Sequence, residues 1–535
     1  MKKIFITVLL AGAAIGAGAQ SMYDALNFSE NRYYGTARTL AMGNAFTALG
    51  GDPGSIGMNP AGSAVARYSQ VTITPGLSVA VNTSQGTDNG EYGFGTTMRN
   101  TTSRFSLPNV GVTLNFDTHR ERGVKNVSIG FVKNSTNLYN NGVFAKGLNI
   151  HSSYSGWLAS ASTGIAPSLF ESSTVYENGD IGWNLILGYL GGATAHLDAL
   201  GDDHRYAGAA DNVFYEYDDQ GKLDNTRISM GGPINQSYGI SAKGYRDDYL
   251  INLGMNISDY VFVGVNLGIT SLSYKSEQTL SEASEENDLF QTGFNSLKYN
   301  SSYRASGTGV YGKFGVIVTP VGGLRIGAAI QTPTSTVIKE TWGANLSTKF
   351  KDSSYNSSAS TPEGEYTYRL LSPFRFNLGV AYTFGSRGIL SADYEFCDYS
   401  RMFFKERNTF DNSAFSDVNS DIRGYMGAGH LFRLGAEFKP ADQISVRAGY
   451  ELMSSPEKFE SETGMKYSKA REHAVALGFG YSSKGSFYID AAVQARMEPD
   501  KYVMPYENYL TDAFSPEILC KKVLFNAAVT FGFRF

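Results

Sequence analysis

The last fifteen residues, KKVLFNAAVTFGFRF, alternate with period two. Val523, Phe525, Ala527, Val529, Phe531, Phe533 and Phe535 make one wholly apolar face. Leu524, Asn526, Ala528, Thr530, Gly532 and Arg534 make the other, which is mostly small or polar and carries a charge. Successive side chains of a strand point to opposite sides of a sheet, so the pattern predicts a half-apolar strand. The same alternation recurs over Phe487–Arg496, Phe432–Lys439, Ile444–Leu452 and Phe374–Tyr382. A soluble sandwich turns such apolar faces into a core. A membrane barrel turns them to lipid and lines its lumen with the mixed faces.

The connections separate these cases. Pro440–Asp442, Ser483–Gly485, Gly385–Gly388, Val321–Gly323 and Ser258–Tyr260 are tight turns. Long polar segments lie between them, at Lys275–Leu297, Glu340–Glu365, Ser400–Gly429, Ser454–Lys469 and Glu498–Leu519. From the fourth strand onward, short and long connections alternate strictly. Outer-membrane barrels have short periplasmic turns and long external loops, whereas a sandwich has no reason to sort its loops by parity. The expected fold is therefore an all-β membrane protein, a 14-stranded antiparallel transmembrane β-barrel. Its strands are expected near 69–82, 104–116, 126–136, 247–257, 261–274, 298–319, 324–338, 366–383, 389–399, 430–439, 443–453, 470–482, 486–496 and 521–535.

The N-terminus agrees with that destination. Lys2 and Lys3 precede an apolar stretch from Ile4 to Ile15, and Ala17-Gly18-Ala19 supplies small residues for cleavage after Ala19. Residues 1–19 read as a secretory signal peptide. The rest of the chain has no second apolar run of about 18 residues, the length that marks a membrane helix. It is rich in glycine (60), tyrosine (34) and phenylalanine (33), with a net charge of only −5. That charge leaves no basic footprint for nucleic acid. Cys397 and Cys520 are too few and too far apart for a disulfide framework or a metal knuckle. No cofactor and no metal are expected. None of the six histidines, His119, His151, His196, His204, His430 and His473, sits in a G-x-S-x-G or H-E-x-x-H context, so no enzyme is expected.

Several segments together resemble the FadL/TodX-type long-chain fatty acid and hydrocarbon transporters of Gram-negative outer membranes. Ala41-Met42-Gly43-Asn44-Ala45-Phe46 leads through Gly50-Gly51-Asp52 to Asn59-Pro60-Ala61-Gly62. Leu107-Pro108-Asn109, Leu324–Ala329 with Thr332-Pro333, Ser372-Pro373 with Asn377–Val380, and Arg433–Glu437 with Val446–Tyr450 follow. The count of fourteen strands leans on this resemblance as well as on the pattern. The resemblance implies a barrel plugged by an N-terminal hatch, here residues 20–68, inside the barrel of residues 69–535. It implies capture of a hydrophobic ligand at external loops, transfer to a pocket against the hatch, and sideways exit past a kinked strand. The implied partners are that ligand, outer-membrane lipids and lipopolysaccharide, and the barrel assembly machinery, with the protein acting as a monomer. General or small-solute porins and adhesive barrels are the alternatives.

The stretch LGGDPGSIGMNPAGSAVARYSQVTITPG, Leu49–Gly76, belongs to the hatch on this reading. It lacks the spacing of a phosphate loop. Asn59, Pro60 and Ala61 form its motif, and Pro60 biases Asn59 toward extended backbone. Leu40, Met42, Phe46, Leu49, Ile56 and Met58 are its apolar candidates for a ligand pocket. Strand 3 is expected to end in the polar run Asn134-Ser135-Thr136, read either as an ordinary strand end or as a kink at a lateral gate. Residues 137–246 are expected as one long external loop, helical over Ser155–Ile165 and Asp180–Gly191. Its apolar residues Trp157, Leu169, Phe170, Trp183 and Leu187 suit either a small satellite core or a landing surface for a greasy ligand. Lumen-facing Arg375, Arg433, Arg447 and Arg496 are expected to pair with Asp393, Glu395, Glu437, Glu451 and Asp490 rather than to clamp a carboxylate.

Overall fold

On the closing strand, Phe525, Phe531 and Phe533 are 49%, 42% and 49% exposed, while Leu524, Asn526, Ala528 and Thr530 are buried on the other side. The apolar face is thus the outside of the molecule and the mixed face the inside, the inverse of a sandwich. In the computed structural model, residues 20–87, 94–177, 179, 181–198, 204–221, 223–407, 413–506 and 515–535 are described. The expected signal peptide at 1–19 lies outside them.

Among the described residues, fourteen antiparallel strands close into one barrel. They are β1 Gln70–Gly86, β2 Met98–Asp117, β3 Val124–Asn149, β4 Ile234–Ile257, β5 Val261–Ser284 and β6 Phe294–Val321. Two strands are each interrupted once at a proline, β7 (Leu324–Gln331 and Ser335–Phe350) and β8 (Gly364–Leu371 and Arg375–Phe384). There follow β9 (Gly388–Asp398 and Phe403–Glu406), β10 Ala428–Ala441, β11 Ile444–Ser454, β12 Arg471–Ser482, β13 Phe487–Met497 and β14 Ile518–Arg534. The seam is β1 on β14, in register from Gln70↔Arg534 to Gly86↔Ile518. A closed sheet leaves no edge to satisfy in lipid, which is why strands can span a membrane here. No described helix is long and apolar enough to cross one.

One expected boundary is corrected. Residues 137–149 and 234–246 are not loop: β3 and β4 stay paired from Val124↔Ile257 to Asn149↔Ile234. The insertion between them spans 150–233. Likewise β5 runs to Ser284 and β7 to Phe350, through segments expected as polar loops. Beyond the lipid a strand no longer needs one apolar face, so the alternation that marks it in sequence disappears.

The insertion contains α3 (Tyr154–Ser162), α4 (Pro167–Phe170), α5 (Trp183–Leu190) and a hairpin over Asp211–Tyr217 and Leu223–Met230. Both expected helical stretches are helical. Asp211 is buried beneath this unit and accepts the Gly208 N–H at 2.7 Å. Burial raises its carboxyl from the ordinary 3.8 to about 6, partly opposed by that hydrogen bond. The folded chain therefore holds the proton more tightly than the unfolded chain. Its stabilising effect is full below about pH 4 and is lost as pH rises through about 6. Hydrogen-exchange protection in the insertion, relative to the intrinsic rate at each pH, should fall across that window, and Asp211→Asn should flatten the profile. An unchanged profile in the variant would assign the pH dependence elsewhere.

Residues 20–66 lie inside the barrel. Ser21 opens α1 (Met22–Ser29) with a capping box to Asp24, and Thr36 caps α2 (Ala37–Ala41). Two 3-10 turns follow, Pro53–Gly57 and Pro60–Val65, each begun by proline and capped by Asp52 or Asn59. A collar of inward-facing glycines lets this segment touch the wall. An added Cβ at Gly264 would collide with Pro60, at Gly327 with Thr47, at Gly435 with Met42, and at Gly449 with Gly43. Gly449→Val should therefore keep the segment from seating. The expected result is raised single-channel conductance in planar bilayers and new protease cleavage within residues 30–66, from a barrel that still folds.

Candidate functional site

The internal segment is tied to the wall by side chains from nearly every strand. Asn252 and Asn266 donate to the Pro60 and Ile56 carbonyls at 3.0 and 2.8 Å, and Lys313 and Arg325 to those of Gly57 and Leu49 at 2.9 and 2.6 Å. In return, Arg38 pairs with Glu437 at 2.9 Å, and the Thr47 and Ala37 N–H groups donate to Asp393 and Thr530 at 2.7 Å. Asn59 has φ −140° and ψ 114°, the extended conformation that Pro60 favours. Its Oδ1 accepts the Ala61 N–H at 3.0 Å, and its Nδ2 donates to the carbonyls of Thr47 (2.7 Å) and Val316 (3.1 Å). Gly315 leaves the room: a Cβ there would strike Asn59 Oδ1.

The lumen arginines are ion-paired as expected, except that Asp393 accepts the Thr47 N–H instead and Glu472 takes part. Arg375 and Arg433 share Glu395 at 2.9 and 2.6 Å. Arg447 bridges Glu437 and Asp490 at 2.6 and 2.5 Å, and Arg496 bridges Glu451 and Glu472 at 2.9 and 2.5 Å. Removing one member strands a buried charge, which costs about 3–5 kcal/mol. Arg433→Met should accordingly lower the denaturant midpoint of the refolded barrel. A midpoint equal to the native protein's would show that the ladder is dispensable.

Above the internal segment, a cavity of about 190 Å³ lies beside α1. Leu26, Tyr139, Val143, Ala242 and Tyr274 give it apolar and aromatic wall, and Glu30, Arg32 and Glu498 a charged end. Ser455–Glu457, Pro499 and Lys501 bring it to the long connections after β11 and β13.

The bent part of β3 forms another wall, through Asn137–Asn141. Here the barrel ladder breaks. β2 and β3 pair from Asp117↔Asn126 only as far as Asn109↔Asn134. The next residue of β2 is Pro108, which has no N–H to offer. β1 remains paired to β2 up to Ser84↔Met98. Past this fork all seven residues Asn134–Asn140 are buried, so β3 has left the wall and turned inward. Thr136 is a one-residue irregularity between Ser135 and Asn137 in the β4 register. The internal segment takes the place of β2: the Arg32 and Tyr34 N–H groups donate to the Thr136 and Ser135 carbonyls at 2.7 and 2.9 Å. The fork is bolted by Lys133. Its ammonium donates to Leu107 O at 2.5 Å and Ser135 Oγ at 2.8 Å, and pairs with Asp247 at 2.9 Å. Higher up, Thr102 rejoins Asn140 at 2.8 Å.

No protein-family model matches the sequence, and no curated protein matches it. Solved structures do resemble it. The chain is 12% identical to the P. putida toluene transporter TodX, covering 95% of this chain and 99% of that one, with a TM-score of 0.50. It is 11% identical to a Pseudomonas aeruginosa FadL homologue, covering 94% and 98%, with a TM-score of 0.51. The chain has the FadL/TodX-type fold. At these identities the likeness is one of architecture, and the residues must be argued one by one.

Within this FadL/TodX-type barrel the expected pocket residues do not line the cavity. Met42, Phe46, Leu49 and Met58 pack with Tyr33, Ala48 and Ala381. Leu40 packs with Ala492 and Ala528, and Ile56 with Val132, Leu250 and Tyr311. They are core of the internal segment, because the glycine collar lets that segment meet the wall without a gap. The external candidates divide too. Trp157 and Leu187 are 3% and 0% exposed, in a core with Tyr238, Leu280, Tyr299 and Leu346 of the upper strands. Phe170 is buried and Trp183 half-buried in a second cluster, leaving Leu169 alone well exposed. Of the two expected readings, this burial fits the satellite core: upper strand walls gave the helices something apolar to cover. The reading of Asn134-Ser135-Thr136 as an ordinary strand end is also overturned, since β3 runs on to Asn149.

The cavity residues Arg32, Tyr139, Tyr274 and Glu498 carried no period or motif that would single them out. Lys133 and Asp247 did leave a signal. Both fall on the outward register, beside Phe131 and Ile251, where a charge in an apolar row is costly and asks for a reason.

Proposed function

We propose that this chain is a Gram-negative outer-membrane transporter that takes up hydrophobic compounds. One observation carries the reading: the cavity beside α1 shares a wall with the bent stretch of β3, next to the fork between β2 and β3. A hydrophobe entering from the loops after β11 and β13 would rest in the cavity and leave sideways between β2 and β3 into lipid. That route spares it the polar lipopolysaccharide and the aqueous periplasm. Residues 20–66 act as the hatch, with Asn59-Pro60-Ala61 holding its lower turn against β6. The filled lumen argues against a general porin, which needs a water-filled path. Long-chain fatty acids, the cargo that the sequence resemblance implies, belong to the class to be tested beside neutral hydrocarbons. Assembly by the barrel machinery, lipopolysaccharide around the barrel and action as a monomer complete the proposal.

Uptake of radiolabelled oleate and of small alkylbenzenes, in cells with and without the gene, tests it directly. Equal uptake of every compound would sink the transporter reading. Asn59→Ala should slow uptake while surface levels stay normal. Deleting Thr136 should slow it further, by restoring the alternation that lets β3 rejoin β2. Both variants taking up cargo at the native rate would remove the hatch and the fork from the route.

A further inference from the structure

The charged end of the cavity is unbalanced. Five carboxylates line the space, Asp24, Glu30, Glu457, Glu472 and Glu498, against three cations, Arg32, Lys501 and Lys522. The cations are already engaged. Arg32 pairs with Glu472 at 2.8 Å and with Glu30 and Glu498 at 3.4 Å. Lys522 and Lys501 lie 2.8 and 3.8 Å from Glu498. A ligand carboxylate would have to displace Glu498 from its cations and would meet the remaining acids. Glu457 makes no ion pair among the described residues, and Lys501 reaches it only through space. Burial raises the carboxyls of Asp24, Glu30 and Glu457, for Glu30 against the pull of Arg32 and for Glu457 against that of Lys501.

The rest of the lining suits a cation. Tyr23, Tyr139 and Tyr274 all border the space. Tyr139 and Tyr274 meet edge to face at 5.2 Å, and Phe28 lies 5.7 Å from Tyr274. Tyr23 and Glu457 border the same space. Aromatic rings attract ammonium groups through their quadrupoles, most strongly where water is scarce. Asn82, 2% exposed in the same lining, keeps an amide nitrogen with no partner among the described residues. An open buried donor marks a space that an occupant enters but asks for an acceptor, which an ammonium lacks; the open acceptor in the same lining is Asn141 Oδ1.

We propose that the cavity takes an amphiphile with a cationic head, an alkyl- or arylammonium ion, in preference to a carboxylate. The proposal rests on the transport reading and names its cargo class. The head sits between Glu457 and Tyr23, and the tail runs along Leu26, Val143 and Ala242.

Decyltrimethylammonium, decanol and decanoate share one chain and differ in head charge. Their binding to the full mature barrel in zwitterionic nanodiscs, with empty nanodiscs subtracted, tests the proposal. The ammonium should bind about tenfold more tightly than decanoate, on the scale of one such contact, with decanol between them. Glu457→Gln should weaken the ammonium and leave decanol unchanged, and Tyr23→Leu should repeat that pattern should the first variant misfold. Decanol binding as tightly as the ammonium, or neither variant moving the ammonium, overturns the cationic head. Decanoate binding most tightly overturns it while leaving the transport reading whole. Binding of none of the three removes the cavity as a ligand site, and the transport reading falls with it.

Discussion

The inside of this molecule depends on how closely a folded backbone approaches a sheet. Barrel walls normally keep their distance, because each inward residue carries a side chain. Here inward glycines at 264, 315, 327, 435, 449 and 478 remove it, and the internal segment fits where those side chains would be. Close approach lets strand side chains such as Asn252, Asn266 and Lys313 reach main-chain carbonyls of the segment. It also lets Arg38 and Thr47 reach carboxylates of the wall. Buried polar groups are costly when unpaired. The ion ladder and the segment therefore stabilise each other, and a polar lumen becomes a packed one.

The same segment explains how β3 can part from β2. A strand that leaves its neighbour strands a row of backbone groups, which lipid cannot satisfy. Past Asn134, β3 turns inward and finds Arg32 and Tyr34 in place of β2. On the β2 side, Pro108 has no donor to lose, and Lys133 takes up the Leu107 carbonyl. At its branch point the fork is thus satisfied on both sides, and the cavity stands directly behind it. The mixed ion cluster of Arg32, Glu472 and Glu498 borders that cavity.

Much of the barrel was legible in the sequence. Outward faces are legible because lipid accepts only apolar side chains, so the alternation in Phe525–Phe533 or Phe432–Phe438 is under direct physical constraint. Loop parity is legible because turns and external loops sit in different surroundings. Asn59-Pro60 was legible as an extended position, and the helices around Trp157 and Leu187 were legible as helices. The upper halves of β3 and β4 were not, since strands above the lipid owe nothing to period two. Nor was the burial of Trp157 and Leu187, which depends on walls contributed by residues such as Tyr238 and Tyr299, far away in the chain.

By itself, then, the sequence determined the class of fold and the side of the sheet that meets lipid, while the segment expected in the lumen came from the resemblance. The first two follow from pattern, because the solvent on either side of a strand selects residues one at a time. Only the tertiary structure decided where the cavity lies, which cations around it are already spent, and that β3 runs on after leaving β2. Those features arise from residues far apart in the chain, such as Arg32 with Glu472 and Glu498, or Lys133 with Leu107 and Asp247. Closing the barrel brings them together, and no local period records a contact made by closure.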